Sequence, residues 1–294
     1  MAWRFALLLV PASETDARSD FRETFTEVDP LAPGLSVGDL AAQRGDGVFE
    51  SIGVIGGHAQ EVEAHLARLE HSAELCELPR PHLAQWRQAV ELAVAHAGSG
   101  EAVVKLILSR GVEHGSGPTA WVTVADAADF ATARTSGVRV ATLDRGFASD
   151  VPARAPWLLL GAKTLSYAVN MAAIREAKRR GADDAVFVTT DGYVLEAPTA
   201  SVVVRRGATF VTPEPHAGIL HGTTQRSLFG FLQSEGYETA YEPIPVADLL
   251  AADAAWLLSS VRLAAPITAV DGRAIPHDPA ITSTLNHYLL GRRD

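Results

Sequence analysis

Leu158-Leu159-Leu160-Gly161-Ala162-Lys163 carries an apolar run and a glycine into a single lysine, and Thr164-Leu165 lead from it into a helical pattern. An amine behind apolar residues loses hydration, which lowers its pKa and makes it a usable nucleophile. The plain alternative is a lysine at a strand end with its head in water, and the local sequence leaves both open. The helix that follows runs from about Ser166 to Arg180. Tyr167, Met171, Ile174 and Ala177 form its apolar stripe, and Gly181 stops it.

Strand and turn signals surround this segment. Downstream, Ala185–Thr190, the turn Asp191-Gly192 and Tyr193–Ala197 give a hairpin signal. Ser201–Arg206 and Ala208–Pro213 read as strands, a helix opens near Thr223, and a strand covers Ala254–Ser260. Asp271-Gly272 is a second turn, and a helix over about Pro279–Leu290 closes the chain. Upstream, Phe5–Val10 and Val138–Leu143 read as strands, and Phe49–Ile55 and His58–Glu63 flank a Gly56-Gly57 turn. A helix over about Glu63–Leu78 has Leu66, Leu69, Ala73 and Cys76 as its buried stripe. A second, about His82–Ala97, buries Leu83, Trp86, Val90 and Ala93. Ala102–Ser109 and Ala120–Ala125 are strands, and Asp126–Gly137, rich in small residues and without a sustained period, reads as a connection. The expectation is an α+β chain of two domains with mixed sheets and flanking helices. It has a smaller N-terminal domain over 1–131, a linker over 132–137 and a larger domain over 138–294.

Composition narrows the function. In 294 residues the hydrophobic fraction is 47% and the charged fraction 20%, enough for ordinary cores. A formal net charge of −10 argues against nucleic acid and anionic membranes as partners, since both ask for a basic surface. The only cysteine, Cys76, cannot form an intramolecular disulfide and reads as a small core residue, which fits a cytoplasmic setting. No apolar run approaches a membrane span or a signal h-region. The histidines show no metal-ligand spacing, so no metal is expected, and neither a Gly-x-Ser-x-Gly elbow nor a Walker loop is present.

The remaining candidates are individually modest. Glu196, in Tyr193-Val194-Leu195-Glu196-Ala197, is a carboxylate at a strand end that can pair with a cationic ring nitrogen or simply face water. His221-Gly222-Thr223-Thr224 opens a helix, where exposed N–H groups and two hydroxyls make an anion site or only an N-cap. Arg68 lies beside the stripe of the first long helix, and Arg262 closes the apolar strand through Ser259-Ser260-Val261, an unusual place for a charge.

Taken in order, these segments resemble the class IV aminotransferases, the fold-type IV pyridoxal-phosphate enzymes. The likeness spans about Arg44 to Pro266. It rests on Gly45-Asp46-Gly47-Val48-Phe49-Glu50, His65-x-x-Arg68-Leu69, Lys163-Thr164-Leu165, Gly192-Tyr193-Val194-Leu195-Glu196 and Gly222-Thr223-Thr224. The resemblance implies pyridoxal 5'-phosphate as cofactor, joined to Lys163 as a Schiff base, with Lys163 then moving the proton. It implies Glu196 at the pyridine nitrogen, and Arg68, Thr223, Thr224 and Ser260 at the phosphate. It also implies a homodimer acting on a small amino donor and a keto acceptor. Phe49, Arg110, His114 and Arg262 fall on the substrate side. The Arg-x-His pair of family members that use D-amino acids is absent. Gly111-Val112-Glu113-His114-Gly115-Ser116-Gly117 retains only His114, Phe49 replaces a tyrosine, and Ser201 replaces an asparagine. The expected activity is amino transfer from a D-amino acid or (R)-amine to a keto acid. The alternatives are aminodeoxychorismate lyase, releasing 4-aminobenzoate and pyruvate, and a non-catalytic protein that keeps the fold.

Overall fold

In the computed structural model, which describes residues 2–32 and 34–292, the chain divides into two units. One is built from the chain up to Ala128 together with Ala162–Tyr167, the other from Asp129–Gly161 and Ala168–Arg292. The class is α+β.

Among the described residues, the first unit holds the strands β1 (Trp3–Leu9), β2 (Phe25–Val28), β3 (Gly47–Ile55), β4 (His58–Ala59), β5 (Glu101–Ser109) and β6 (Thr119–Asp126), with helices α1 (Leu40–Arg44), α2 (Val62–Leu75) and α3 (Leu83–Val94). The sheet order is β2-β1-β6-β5-β3-β4. Every pairing is antiparallel, so this sheet is not mixed. The reason is local: short returns such as Gly56-Gly57, both at positive φ, bring a strand back beside itself, whereas a parallel neighbour needs a long crossover.

Period-two geometry sorts β3. Val48, Glu50, Ile52 and Val54 share one fully buried face, while Phe49 and Ser51 on the other are only half-buried. Helix α2 packs on β3 and buries Leu66, Leu69 and Ala73, the stripe its spacing foretold.

The segment Ala162–Tyr167 adds a short rung to β3. Thr164 bridges Val48, the Phe49 N–H donates to the Lys163 carbonyl at 3.0 Å, and the Leu165 N–H donates to the Gly47 carbonyl at 2.8 Å. Gly47 makes this approach possible. A Cβ there would lie 2.7 Å from the Leu108 carbonyl and 2.8 Å from Leu165 Cδ1.

The second unit holds β7 (Val138–Asp144), β8 (Asp184–Val188), β9 (Ser201–Arg206), β10 (Thr209–Thr212), β11 (Glu238–Tyr241), β12 (Ala254–Ser259), β13 (Leu263–Val270) and β14 (Arg273–Ala274). Its helices are α4 (Ala131–Ser136), α5 (Val151–Arg154), α6 (Ala168–Arg179), α7 (Thr223–Ser234), α8 (Val246–Leu250) and α9 (Pro279–Gly291). The order is β11-β10-β9-β12-β13-β7-β8, with β14 on β13. This sheet is mixed: β10–β11, β13–β7 and β7–β8 are parallel and the other pairs antiparallel. Val202, Val204, Leu257 and Ile267 form its apolar centre.

Three local expectations change. Residues 132–137, read as a linker, lie largely in α4, whose six residues are too few to show a period; Gly137, at φ +80°, ends it against the Pro266 carbonyl. Lys163 belongs with the first unit rather than the second. Helix α6 buries the small Ala173 and Ala177, while Met171 is 44% exposed and Tyr167 precedes the helix. The Asp191-Gly192 hairpin exists in its hydrogen bonds, Leu195 N–H to Phe187 carbonyl and back from Phe187 N–H to Glu196 carbonyl, although its return arm is too irregular to count as a strand.

Because the Gly47 site has no room for a methyl group, Gly47→Ala is expected to cost about 1–3 kcal/mol, the usual range for overpacking. A urea unfolding midpoint equal to that of the wild type would show that β3 and the Lys163 rung can part without cost.

Candidate active site

In the first unit, the rung on β3 places Lys163 over the partly open face of that strand. Its backbone N–H donates to Ser72 Oγ at 3.1 Å, so both backbone groups of this residue are pinned. Its Nζ donates to Tyr167 Oη at 3.3 Å and lies 4.4 Å from the centre of the Phe49 ring and 5.5 Å from that of Tyr167. The two rings meet edge to face at 5.1 Å. An amine held by one hydroxyl and two aromatic rings is positioned for reaction on a small target.

On the opposite face of β3, Glu50 is fully buried among apolar neighbours and has to be compensated. Arg68 does so with a bidentate pair, Nε to Oε1 and Nη2 to Oε2, both 2.7 Å. His65, one turn earlier on α2, puts Nδ1 2.7 Å from Glu50 Oε2; residues three apart on a helix share a face. Burial pushes the Glu50 carboxyl up, but the charge and hydrogen bonds of Arg68, with the bond from His65, outweigh it and hold it well below the usual carboxylate range. Burial pushes the His65 imidazole down, and the Glu50 hydrogen bond only partly offsets this, while the positive charges of Arg68 and Lys163 push the same way. His65 is thus a neutral ring donating from Nδ1 to Glu50. The bidentate pair uses two of the five guanidinium donors of Arg68.

In the second unit, Glu196 is half-buried, and its Oε2 accepts from the Leu220 N–H at 3.2 Å. Two residues on, Gly222 caps α7 in an extended conformation with no side chain closing the helix end. The first-turn N–H groups of α7 therefore lack intrahelical partners. Thr223 and Thr224 place hydroxyls 3.4 and 3.3 Å from Ser260 Oγ, so three hydroxyls gather at one helix N-terminus, a setting for an anion. A Cβ at Gly222 would fall 2.3 Å from Ser201 Oγ, so a larger residue there would require the Ser201 side chain to move. Pyridoxal phosphate asks for an amine at its aldehyde, a carboxylate at its ring nitrogen and donors at its phosphate; the first unit offers the amine of Lys163, and the second offers the carboxylate of Glu196 and the hydroxyl-lined end of α7.

Three substrate-side candidates have other engagements. Arg262 Nη1 lies 2.7 Å from Asp184 Oδ2, both side chains nearly buried, and its guanidinium stacks on Phe130 at 5.4 Å. The guanidinium of Arg262 thus faces Asp184 and Phe130 in this structure. Arg110 spends its guanidinium on Asp46 and on the Cys76 and Glu77 carbonyls, tying the end of β5 to the end of α2. His114 is exposed in a turn at φ +63°. Sequence reasoning missed Tyr167 as a site residue because it fits the stripe of the following helix, and Ser72 because nothing marks it before the fold is known.

The amino-transferase class IV family model matches residues 47–270, and the chain belongs to this family. It is a pyridoxal-phosphate-dependent enzyme. A bifunctional aminodeoxychorismate lyase / D-amino acid transaminase from Mycobacterium tuberculosis is 47% identical over 263 residues, covering 86% of this chain and 91% of the relative. A fold IV-transaminase from Curtobacterium pusillum is 49% identical, with a TM-score of 0.92 over 98% of this chain and 99% of its own. A hypothetical aminotransferase from Mycobacterium tuberculosis in its PLP-bound form is 43% identical, with a TM-score of 0.87 over 97% and 99%.

Acid should destabilise the fold through Glu50 and His65. Glu50 has a folded pKa below its unfolded one, so its stabilisation is present above the ordinary glutamate value of about 4.3 and is lost as pH falls through and below it. His65, held neutral when folded, loses stability as the unfolded chain gains a proton below about pH 6.5. Both slopes have one sign, so the melting temperature should fall on acidification from neutral pH. In His65→Gln the part of that fall nearest neutral pH should flatten while the lower part remains. Parallel profiles for the two proteins would rule out His65 as a neutral buried group.

Proposed function

We propose that this enzyme moves an amino group from a D-amino acid or an (R)-amine to a keto acid, using Lys163 as its working amine. The observation that carries this reading is the likeness to the bifunctional lyase and D-amino acid transaminase, 47% identical over nearly the whole chain. The fold IV-transaminase at 49% identity supports it. When bound, the cofactor supplies an electron sink that makes the donor's α-proton removable. Lys163 Nζ would take that proton from the donor's Cα and return it to the carbon on the other side of the donor's nitrogen. The Glu196 carboxylate holds a proton on the ring nitrogen, while Thr223, Thr224, Ser260 and Arg68 hold the phosphate. Phe49 and Tyr167 orient the amine and give it an apolar flank, which suits a hydrophobic donor.

The same relative's name favours a second reaction at this site, elimination of pyruvate from aminodeoxychorismate to leave 4-aminobenzoate. It uses the same Lys163 proton transfer but regenerates the aldehyde form each cycle. Trp157, Leu158, Val169 and Met171 are exposed on the second unit, and a second copy of this chain is the partner the family implies for such apolar surface. No described helix is long and apolar enough to cross a membrane.

Borohydride reduction and peptide mapping should put the pyridoxyl label on Lys163, and a label on Lys105 or Lys178 instead would refute the assignment. Adding D-amino acids and (R)-amines to the holoenzyme should convert the aldehyde absorbance to the amine form, and a keto acid should restore it. If no donor does so while aminodeoxychorismate yields 4-aminobenzoate and pyruvate, the lyase activity replaces the transaminase.

A further inference from the structure

Ser260, Val261 and Arg262 form the loop between β12 and β13, closed by the pairing of Ser259 with Leu263. Three-residue hairpin loops of this kind commonly end on a left-handed residue, usually glycine because it has no Cβ. Here the left-handed residue is Leu263, just past the loop as the first of β13, at φ +64° and 1% exposed. A branched side chain in this region is uphill and persists only where its surroundings impose it.

Those surroundings are unusually specific. Arg134, on α4, donates from Nε to the Arg262 carbonyl at 2.9 Å and from Nη2 to the Val261 carbonyl at 2.8 Å. The Arg262 side chain turns inward to Asp184 at the start of β8 and lies over Phe130. Its backbone N–H donates to Ser259 Oγ at 3.3 Å. Just past the loop, Asn286 grips Ala264 from both sides, accepting from its N–H and donating to its carbonyl. Two arginines, one of them paired with a buried carboxylate, thus hold a loop of three residues.

That loop carries Ser260. Thr223 and Thr224 are fixed by α7, but the third hydroxyl of the cluster is only as well placed as the loop. We propose that Arg134, Arg262 and Asp184 are positioning residues for phosphate recognition, holding Ser260 Oγ beside the hydroxyls of Thr223 and Thr224. The inference rests on the assignment of that hydroxyl cluster to the cofactor phosphate. A preorganised donor spares the ordering cost that a mobile one incurs on binding, so the clamp acts through affinity for the phosphate and not through contact with it. This accounts for a buried arginine at the end of an apolar strand, turned inward to Asp184.

The test compares affinities for pyridoxal phosphate and for pyridoxal, which lacks the phosphate, in the full-length protein after cofactor removal. Asp184→Asn with Arg262→Gln removes both charges together, because deleting one partner would strand the other in the interior. Arg134→Met removes the two carbonyl contacts independently. Each variant should bind pyridoxal phosphate about tenfold more weakly, a change of about 1.4 kcal/mol, with pyridoxal affinity within about twofold of wild type. In a Ser260→Ala background the further loss should shrink to about twofold or less. Equal losses for both ligands would indicate general loosening and overturn the proposal, as would losses that add in full to Ser260→Ala. Wild-type affinity in both clamp variants, with Ser260→Ala impaired, would overturn the proposal alone. Wild-type affinity in Ser260→Ala itself would remove Ser260 from the phosphate site and the proposal with it.

Discussion

A carboxylate buried in an apolar row constrains the first unit more than any other group. Glu50 shares its face of β3 with Val48, Ile52 and Val54, all fully buried, and a charge there persists only with close partners. Arg68 and His65 supply them from adjacent turns of α2, which fixes how α2 lies along β3. Because side chains alternate across a strand, the same register that sends Glu50 inward sends Phe49 to the other face, beneath the Lys163 amine. A slip of one residue would move every side chain of β3 to the opposite face, taking Glu50 out of the buried row and putting Phe49 into it. The ion pair and the aromatic seat of the amine are two faces of one registration.

The second unit uses a different device. The helix end proposed to hold the phosphate offers backbone, the first turn of α7, and small hydroxyls, with Gly222 leaving room for Ser201. The candidate carboxylate of this unit, Glu196, is held by the Leu220 N–H, and Arg262 is paired inward with Asp184. Under the proposed assignment, an anion is held by dipoles and hydroxyls with the single guanidinium of Arg68, which suits a chain of net charge −10 because it requires no basic patch.

Short contiguous motifs made much of this legible in the sequence. Lys163, Glu196, Thr223 and Thr224 each sit in a run of a few residues whose turn or helix start is locally encoded, and α2 and α3 declare themselves by period. What stayed hidden depends on distant partners. The pairing of Thr164 with Val48 has no local sign. Arg262 stood out as misplaced at a strand end, yet only the fold shows that it answers Asp184. Strand β13 was obscured by Pro266, which breaks a strand pattern; it is tolerated because pairing with β7 begins only after it, at Ile267, with a register shift before Ala269. Tyr167 was absorbed into a helix stripe because periodicity cannot tell the last loop residue from the first helical one.

The rung formed by Ala162–Tyr167 also bears on how the chain can be built. The polypeptide completes nearly all of the first unit by Ala128, spends Asp129–Gly161 in the second, returns for six residues and leaves again at Ala168. During synthesis, the Gly47 carbonyl and the Phe49 N–H therefore wait, unpaired by this rung, until Leu165 has left the ribosome. Closing that long excursion is entropically costly and comes late. An N-terminal fragment ending near residue 131 would keep β3, α2 and the buried ion pair, yet would lack the amine and leave a stretch of strand edge uncapped. The two units are thus interleaved genes' worth of chain rather than beads in sequence, and neither can be excised by a single cut.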